Sequence, residues 1–168
     1  MGVQYPLFQP PSEWLPPEDF PDLSDAKEIA IDLETYDPHI KDIGPGWATN
    51  KGHVIGVAIA VEGWQAYYPI CHEGGGNFDE KVFKKWFQVV LNTSADKIFH
   101  NAMYDVGWIT CGMGLKINGR ILDTLIAAPL VNENMMRYSL NELAKHYLGE
   151  TKSEALLYEA AKACGTLR

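Results

Sequence analysis

The chain has 168 residues, of which 46% are hydrophobic and 21% charged, enough apolar material for one globular domain with a real core. Its net charge of −8 disfavours a module that grips nucleic acid through many Lys and Arg contacts to phosphate. It is compatible with a protein that meets phosphates through divalent cations held on carboxylates.

The elements read in chain order as follows. Residues 1–25 carry six of the ten prolines (Pro6, Pro10, Pro11, Pro16, Pro17 and Pro21) and no basic residue. Prolines at this density exclude a long helix or a central strand. An extended arm is predicted, packed on the domain by Tyr5, Leu7, Phe8, Trp14 and Phe20. Residues 26–168 then form a single domain. Glu28–Leu33 alternates Ile29, Ile31 and Leu33 with Ala30, Asp32 and Glu34, the pattern of a half-buried strand. Strands at His53–Val61 and Gln65–Pro69 flank the Glu62-Gly63 turn and predict an antiparallel hairpin. Asn77, with Glu80 three residues on, predicts a helix start whose apolar face is Val82, Phe83, Trp86, Phe87 and Val90. A short strand at Lys97–His100 enters a helix over Ala102–Cys111. Another at Arg120–Leu122 enters a helix over Asp123–Val131, which Pro129 kinks or shortens. Ser139 and Glu142 cap a helix that Gly149 stops, and a last helix is predicted over Glu154–Cys164. A hairpin followed by alternating strands and helices is an α/β domain with a mixed sheet.

No apolar run approaches the roughly 18 residues of a membrane span. The N-terminus lacks a basic start followed by an apolar stretch, so no signal peptide and no membrane association are expected. Cys71, Cys111 and Cys164 are widely spaced and odd in number, which fits a reducing cytoplasm better than a disulfide framework. Cys71-His72 has no second pair at zinc-ligand spacing.

Two signals carry chemistry. Side chains two apart in a strand share a face, so Asp32 and Glu34 project together, opposite Ile29, Ile31 and Leu33. Adjacent carboxylates raise each other's pKa unless a cation lies between them, and hard oxygen ligands suit Mg²⁺ or Mn²⁺. The alternative is an acidic strand end in solvent. The second signal is His100-Asn101-Ala102-Met103-Tyr104-Asp105, which places an amide and a carboxylate one turn apart where a strand enters a helix. There the alternative is that Asn101 caps the helix and Asp105 complements its dipole. Trp47, in the Gly44-Pro45-Gly46 loop, is the best candidate to stack on a base. Asp37 and His39 read as a surface turn around Pro38, with a place lining the substrate cleft as the alternative, and Met135 and Met136 as packing residues.

Asp32-Leu33-Glu34-Thr35 resembles the first motif, D-x-E-T, of the 3′→5′ proofreading exonuclease domain of family A DNA polymerases. Asn101 to Asp105 resembles its second motif, and Leu122-Asp123-Thr124 a D-T that members carry after the following strand. The segments GGGNFDE, HNAMYD, YSLNELAKHYLGE and LLYEAA are similar to bacteriophage versions, and the resemblance spans about Ala26 to Arg168. It implies a ribonuclease-H-like fold, a mixed sheet flanked by helices. It implies two Mg²⁺ or Mn²⁺ ions held by Asp32, Glu34 and Asp105 as catalytic and metal residues. It further implies substrate contacts from Thr35, Asn101 and Tyr104, and proofreading of single-stranded or frayed 3′ DNA ends for a polymerase domain in the same or a separate chain. For a phage protein, the location would be the host cytoplasm. The family's third motif, Y-x-x-x-D, is not found: Glu142, Thr151 and Lys162 follow Tyr138, Tyr147 and Tyr158 at that spacing. The exonuclease domain therefore reads as C-terminally incomplete, and the isolated chain is expected to be weak or inactive. A scaffold that kept the fold and lost catalysis, an RNA-directed exonuclease and a glycosidase remain as rivals. The glycosidase is least favoured, because it needs its carboxylates about 5 Å or more apart across a sugar cleft.

Overall fold

A computed structural model describes residues 16–73 and 76–150. The chain divides into two compact units, Pro16–Met136, and Met1–Leu15 together with Arg137–Arg168. The first holds a five-stranded sheet of order β3-β2-β1-β4-β5. Its strands are β1 (Glu28–Tyr36), β2 (His53–Val61), β3 (Trp64–Pro69), β4 (Asp96–Phe99) and β5 (Ile121–Asp123). β1, β2 and β3 pair antiparallel, whereas β4 and β5 join parallel to β1 and to each other. The mixed sheet expected from the hairpin followed by strand–helix alternation is therefore present. Helices α1 (Ile40–Ile43), α2 (Gly46–Thr49), α3 (Glu80–Asn92), α4 (Ala102–Gly107) and α5 (Thr124–Val131) belong to the same unit. In the second unit, α6 (Leu140–Leu148) starts on the Ser139 Oγ, which accepts the Glu142 N–H, and ends at Gly149 in the left-handed conformation (φ 71°). The helix expected over Glu154–Cys164 and the arm residues Tyr5, Leu7, Phe8 and Trp14 lie outside the described residues.

The core forms where the period-2 and period-3.6 faces meet. Ile29, Ile31 and Leu33 of β1, Val57 and Ile59 of β2, Tyr68 of β3, and Phe83, Phe87, Val90 and Leu91 of α3 are all buried. Fully burying a side chain of this size is worth about 1.5–3 kcal/mol. Phe20, from the proline-rich stretch, stacks on Tyr68 with centroids 5.4 Å apart and also meets Phe78, Phe83 and Trp86. The Trp86 Nε1–H donates to Pro21 O and the Tyr68 hydroxyl to Asp19 O, so residues 19–21 are tied to the domain through their carbonyls.

Three local expectations need correction. α3 starts on Asp79, whose carboxylate accepts the Val82 N–H; Asn77 instead closes a loop with His72 through two hydrogen bonds. Asp79 also stands three residues before an N–H in need of a cap, and the Asn77–Glu80 spacing hid it. Val82, placed on the apolar face, is 51% exposed, because the buried stripe runs through Phe83, Phe87, Val90 and Leu91 and Val82 falls beyond its edge. The helix expected over Ala102–Cys111 is α4 followed by a π-helical turn at Trp108–Gly112, in which the Met113 N–H reaches Trp108 O. Gly107 and Gly112 make room there: a Cβ on Gly107 would meet the edge of Trp47, and one on Gly112 the ring of Trp108. Among the described residues, no helix is long and apolar enough to cross a membrane.

Candidate functional site

The alternation in β1 is as its sequence pattern requires. Ile29, Ile31 and Leu33 are buried, and Asp32 and Glu34 emerge on the opposite, exposed face. The second carboxylate reaches this strand through an unfinished ladder. β4 pairs with β1 only as far as Ala30↔Ile98, stays paired with β5 through Phe99↔Asp123, and then gives way to α4. That leaves the β1 edge beyond Ala30 without a strand partner on this side, and an unsatisfied buried N–H is costly. Asp105, one turn into α4, takes the place of the missing strand: its Oδ1 accepts the Leu33 N–H at 3.1 Å. Asp105 is therefore buried beside the Asp32–Glu34 segment.

This burial has an electrostatic consequence. Desolvation, reinforced by the negative charge of Asp32 and more weakly of Asp123, pushes the Asp105 carboxyl up to about 7, against the lowering effect of the Leu33 N–H. Two carboxylates held this close, one of them buried, favour a proton or a cation between them. Among the described residues, no group of three or more His, Cys, Asp or Glu side chains is gathered closely enough to hold an ion. The backbone brings Asp32 and Asp105 together, with Glu34 the next carboxylate along the same strand face.

Asn101 does not cap α4. It takes the left-handed conformation (φ 74°), its side chain makes no capping hydrogen bond, and it is exposed. The cap comes from Asp123, 22 residues away, whose Oδ1 and Oδ2 accept the N–H groups of Asn101 and Ala102. The same Oδ1 caps α5 through the Leu125 N–H. Burial works to raise the Asp123 carboxyl, but these N–H donors outweigh it and hold the group below the usual carboxylate range. Thr124 completes the junction: its Oγ1 donates to Phe99 O and pairs with His100 Nδ1. A single Asp-Thr pair thus fixes the turn that aims Asn101 and Asp105.

Thr35 and Tyr104 meet across the two motifs. The Tyr104 hydroxyl donates to Asp37 Oδ2, so the Thr35 hydroxyl, 2.9 Å away, is the donor to Tyr104 Oη. Asp37 Oδ2 also accepts the Gly46 N–H at the start of α2. Asp37 opens the turn read around Pro38, its carbonyl accepting the Ile40 N–H, and its side chain also orients the tyrosine of the second motif; the pattern Asp-Pro-His held no signal of this second role. Trp47, the expected stacking residue, lies edge-on against Gly107, with its Nε1 buried. The ring is partly buried and lines a cleft with Gly46, His53 and Trp108. Met136 is 96% exposed, contrary to a packing role, whereas Met135 is partly covered.

One further pair lies on the carboxylate face. Tyr67 Oη and His72 Nε2 are 2.5 Å apart. Burial, and then the charge of Glu34, raise the Tyr67 hydroxyl to about 12. Nothing in the local pattern around Cys71-His72 links His72 to Tyr67.

Residues 18–164 match a family model described as 3′-5′ exonuclease, built on family A DNA polymerases. The chain is 33% identical over 167 residues to a DNA-directed DNA polymerase of Pseudomonas phage M6, covering 95% of this chain and 25% of that protein. It is 32% identical over 148 residues to DNA polymerase DpoZ of Salmonella phage PMBT28, covering 87% of this chain and 21% of that protein. The chain thus spans about a quarter or less of these relatives' length. Among solved structures, Trypanosoma brucei RNase D in complex with GMP superposes with a TM-score of 0.62 at 20% identity, covering 86% of this chain and 42% of that one. Brucella melitensis NrnC bound to pGG superposes with a TM-score of 0.56 at 22% identity, covering 79% and 57%. At these identities the likeness is one of fold, the ribonuclease-H-like fold of such exonucleases.

Proposed function

The chain belongs to the 3′-5′ exonuclease family of family A DNA polymerases, and from that premise we propose that it hydrolyses the 3′-terminal phosphodiester of a DNA strand and releases nucleoside monophosphates. The observation that carries this reading is the Leu33 N–H···Asp105 hydrogen bond, which draws the carboxylate of the second motif against the Asp32–Glu34 strand. Asp32, Glu34 and Asp105 would hold Mg²⁺ or Mn²⁺. The donor chemistry fits, because a buried carboxyl pushed to about 7 by desolvation and a neighbouring charge is one that a hard cation stabilises. When bound, such ions lower the pKa of an attacking water and stabilise the leaving 3′ oxygen.

The chain's own residues supply position. Asp105 is fixed by β1, Asn101 by the Asp123 cap, and Thr35 and Tyr104 by their shared hydrogen bonds with Asp37. Asn101 would contact the terminal nucleotide, a reading supported by its exposure and by its side chain not being used as a cap. The role we assign is proofreading for a polymerase in the host cytoplasm, a reading supported by the phage polymerase relatives. Because the sequence holds no Y-x-x-x-D, turnover by the 168-residue chain is expected to be slow.

The test uses 5′-labelled single-stranded DNA with Mn²⁺ or EDTA, beside Asp32→Ala. A ladder receding from the 3′ end, dependent on the ion and on Asp32, is expected. Protein that neither binds Mn²⁺ nor cleaves, with Asp32→Ala indistinguishable from wild type, would sink the nuclease reading in favour of a scaffold. RNA of the same sequence belongs in the assay, since the fold neighbours include RNase D in complex with RNA U12 and NrnC bound to pGG. Faster loss of RNA would move the substrate to ribonucleotides.

A further inference from the structure

Resting on the nuclease reading above, we propose that Tyr67 is a positioning residue for Glu34, and that His72 holds the Tyr67 hydroxyl in place. The sheet register puts these groups on one face. Asp32 pairs with Ala58, and Ala58 with Tyr67, so the three side chains rise from the same side. The neighbouring row, Leu33, Val57 and Tyr68, points the other way and fills the core. Tyr67 therefore stands on the carboxylate face, two strands from Asp32.

Its ring does not stand upright there. Gly56 lies directly opposite Glu34 in the register, and a Cβ on Gly56 would collide with the Tyr67 hydroxyl, Cζ and Cε2. The phenol thus lies across the backbone of Gly56, with its hydroxyl end in the row of Glu34. Only glycine leaves the space for it. The β1–β2 register also shifts between Glu34 and Thr35, which re-aims the strand at this point.

His72 fixes the far side of the hydroxyl. Nε2 is 2.5 Å from Tyr67 Oη, with the two rings nearly perpendicular at 78°. The histidine backbone is itself held, its N–H donating to Asn77 Oδ1 and its carbonyl accepting from Asn77 Nδ2. The hydroxyl so held lies over Gly56, across the ladder from Glu34, and limits the orientations that the Glu34 carboxylate takes. Groups that orient a metal-binding carboxylate from behind are worth about 10–100-fold in metal affinity.

The experiment compares wild type with Tyr67→Phe, His72→Ala, His72→Gln and Asp32→Ala. Two quantities are read on the whole chain: the Glu34 side-chain carboxyl ¹³C shift at fixed pH without metal, and the Mn²⁺ affinity by calorimetry. Thermal melting checks that each variant is folded. Tyr67→Phe is expected to move the Glu34 resonance and weaken Mn²⁺ binding about tenfold. His72→Ala should do the same in smaller measure, and His72→Gln, which keeps an N–H donor, should restore most of the loss. An unmoved Glu34 resonance, or wild-type Mn²⁺ affinity in folded Tyr67→Phe, would overturn the inference while leaving the nuclease reading intact. Wild-type protein that binds Mn²⁺ no better than Asp32→Ala would overturn both.

Discussion

Asp105 is the residue on which pH dependence turns. Its carboxyl is raised from 3.8 to about 7 in the folded protein, so between these values the native state binds a proton that the unfolded chain does not. Stability without metal therefore falls as pH rises from about 4 to 7, by at most a few kcal/mol. This is opposite in sign to a salt-bridged aspartate, whose folded-state pKa is depressed. Asp105→Asn keeps an acceptor for the Leu33 N–H and carries no charge. It should flatten the profile of melting temperature against pH and melt higher than wild type at pH 8 in EDTA. Saturating Mn²⁺ should stabilise wild type at that pH and leave the variant unchanged. A profile identical in both proteins would show that the Asp105 carboxyl is not perturbed. Lys97 makes a second test. It is fully buried in β4, and its Nζ donates to the carbonyls of Thr93, Ala95 and Asn118 and to Thr93 Oγ1. Lys97→Met fills the space but orphans these acceptors, and should cost about 2–4 kcal/mol in urea denaturation. A loss below about 0.5 kcal/mol, as for an ordinary surface change, would mean that water replaces the ammonium.

The junction of β4 and α4 depends on a side chain from another element. Asp123, at the end of β5, caps α5 and also accepts two N–H groups at the start of α4. Asp123→Ala should lower stability by about 2–3 kcal/mol, from one lost helix cap and two unsatisfied donors. Asp123→Asn keeps the Oδ1 acceptor of Asn101 and Leu125 and loses the bond from Ala102, so it should fall midway. Asn and Ala variants of equal stability in chemical denaturation would refute the double-cap reading. Asparagine adopts positive φ more readily than other non-glycine residues, and the Asp123 bonds to the N–H groups of Asn101 and Ala102 hold Asn101 there. A loosened junction should therefore weaken Mn²⁺ binding as well as stability.

For the whole molecule, charge and site pull in opposite directions. A protein of net charge −8 repels a polyanion, and its affinity for DNA should come mainly through cations at the carboxylates. Fluorescence anisotropy with single-stranded DNA ending in a 3′ phosphorothioate should show little binding in EDTA and a rise with Mn²⁺. Asp32→Ala should show little binding in either condition. Equal binding by wild type with and without the ion would point to a direct phosphate-binding surface, and so to a scaffold.

The strand face of Asp32 and Glu34, the hairpin, the amphipathic α3 and the mixed sheet were legible in the sequence, because each is a period or a turn signal spanning a few residues. The Ser139 cap and the Gly149 stop were legible for the same reason. The start of α3 was misread, since Asn77 and Asp79 both carry capping side chains and only the loop to His72 decides between them. The π-helical turn left no pattern, because it depends on Trp47 and Trp108 meeting glycine backbones. The site divides in the same way. Its motifs could be read off the chain, and the sequence alone determined which carboxylates are available. That Asp105 completes the edge of β1, that Asp37 orients Tyr104, and that Tyr67 lies over Gly56 beside Glu34 were decided only by tertiary structure. These contacts join residues 11 to 72 positions apart, across a sheet whose pairing no local pattern states.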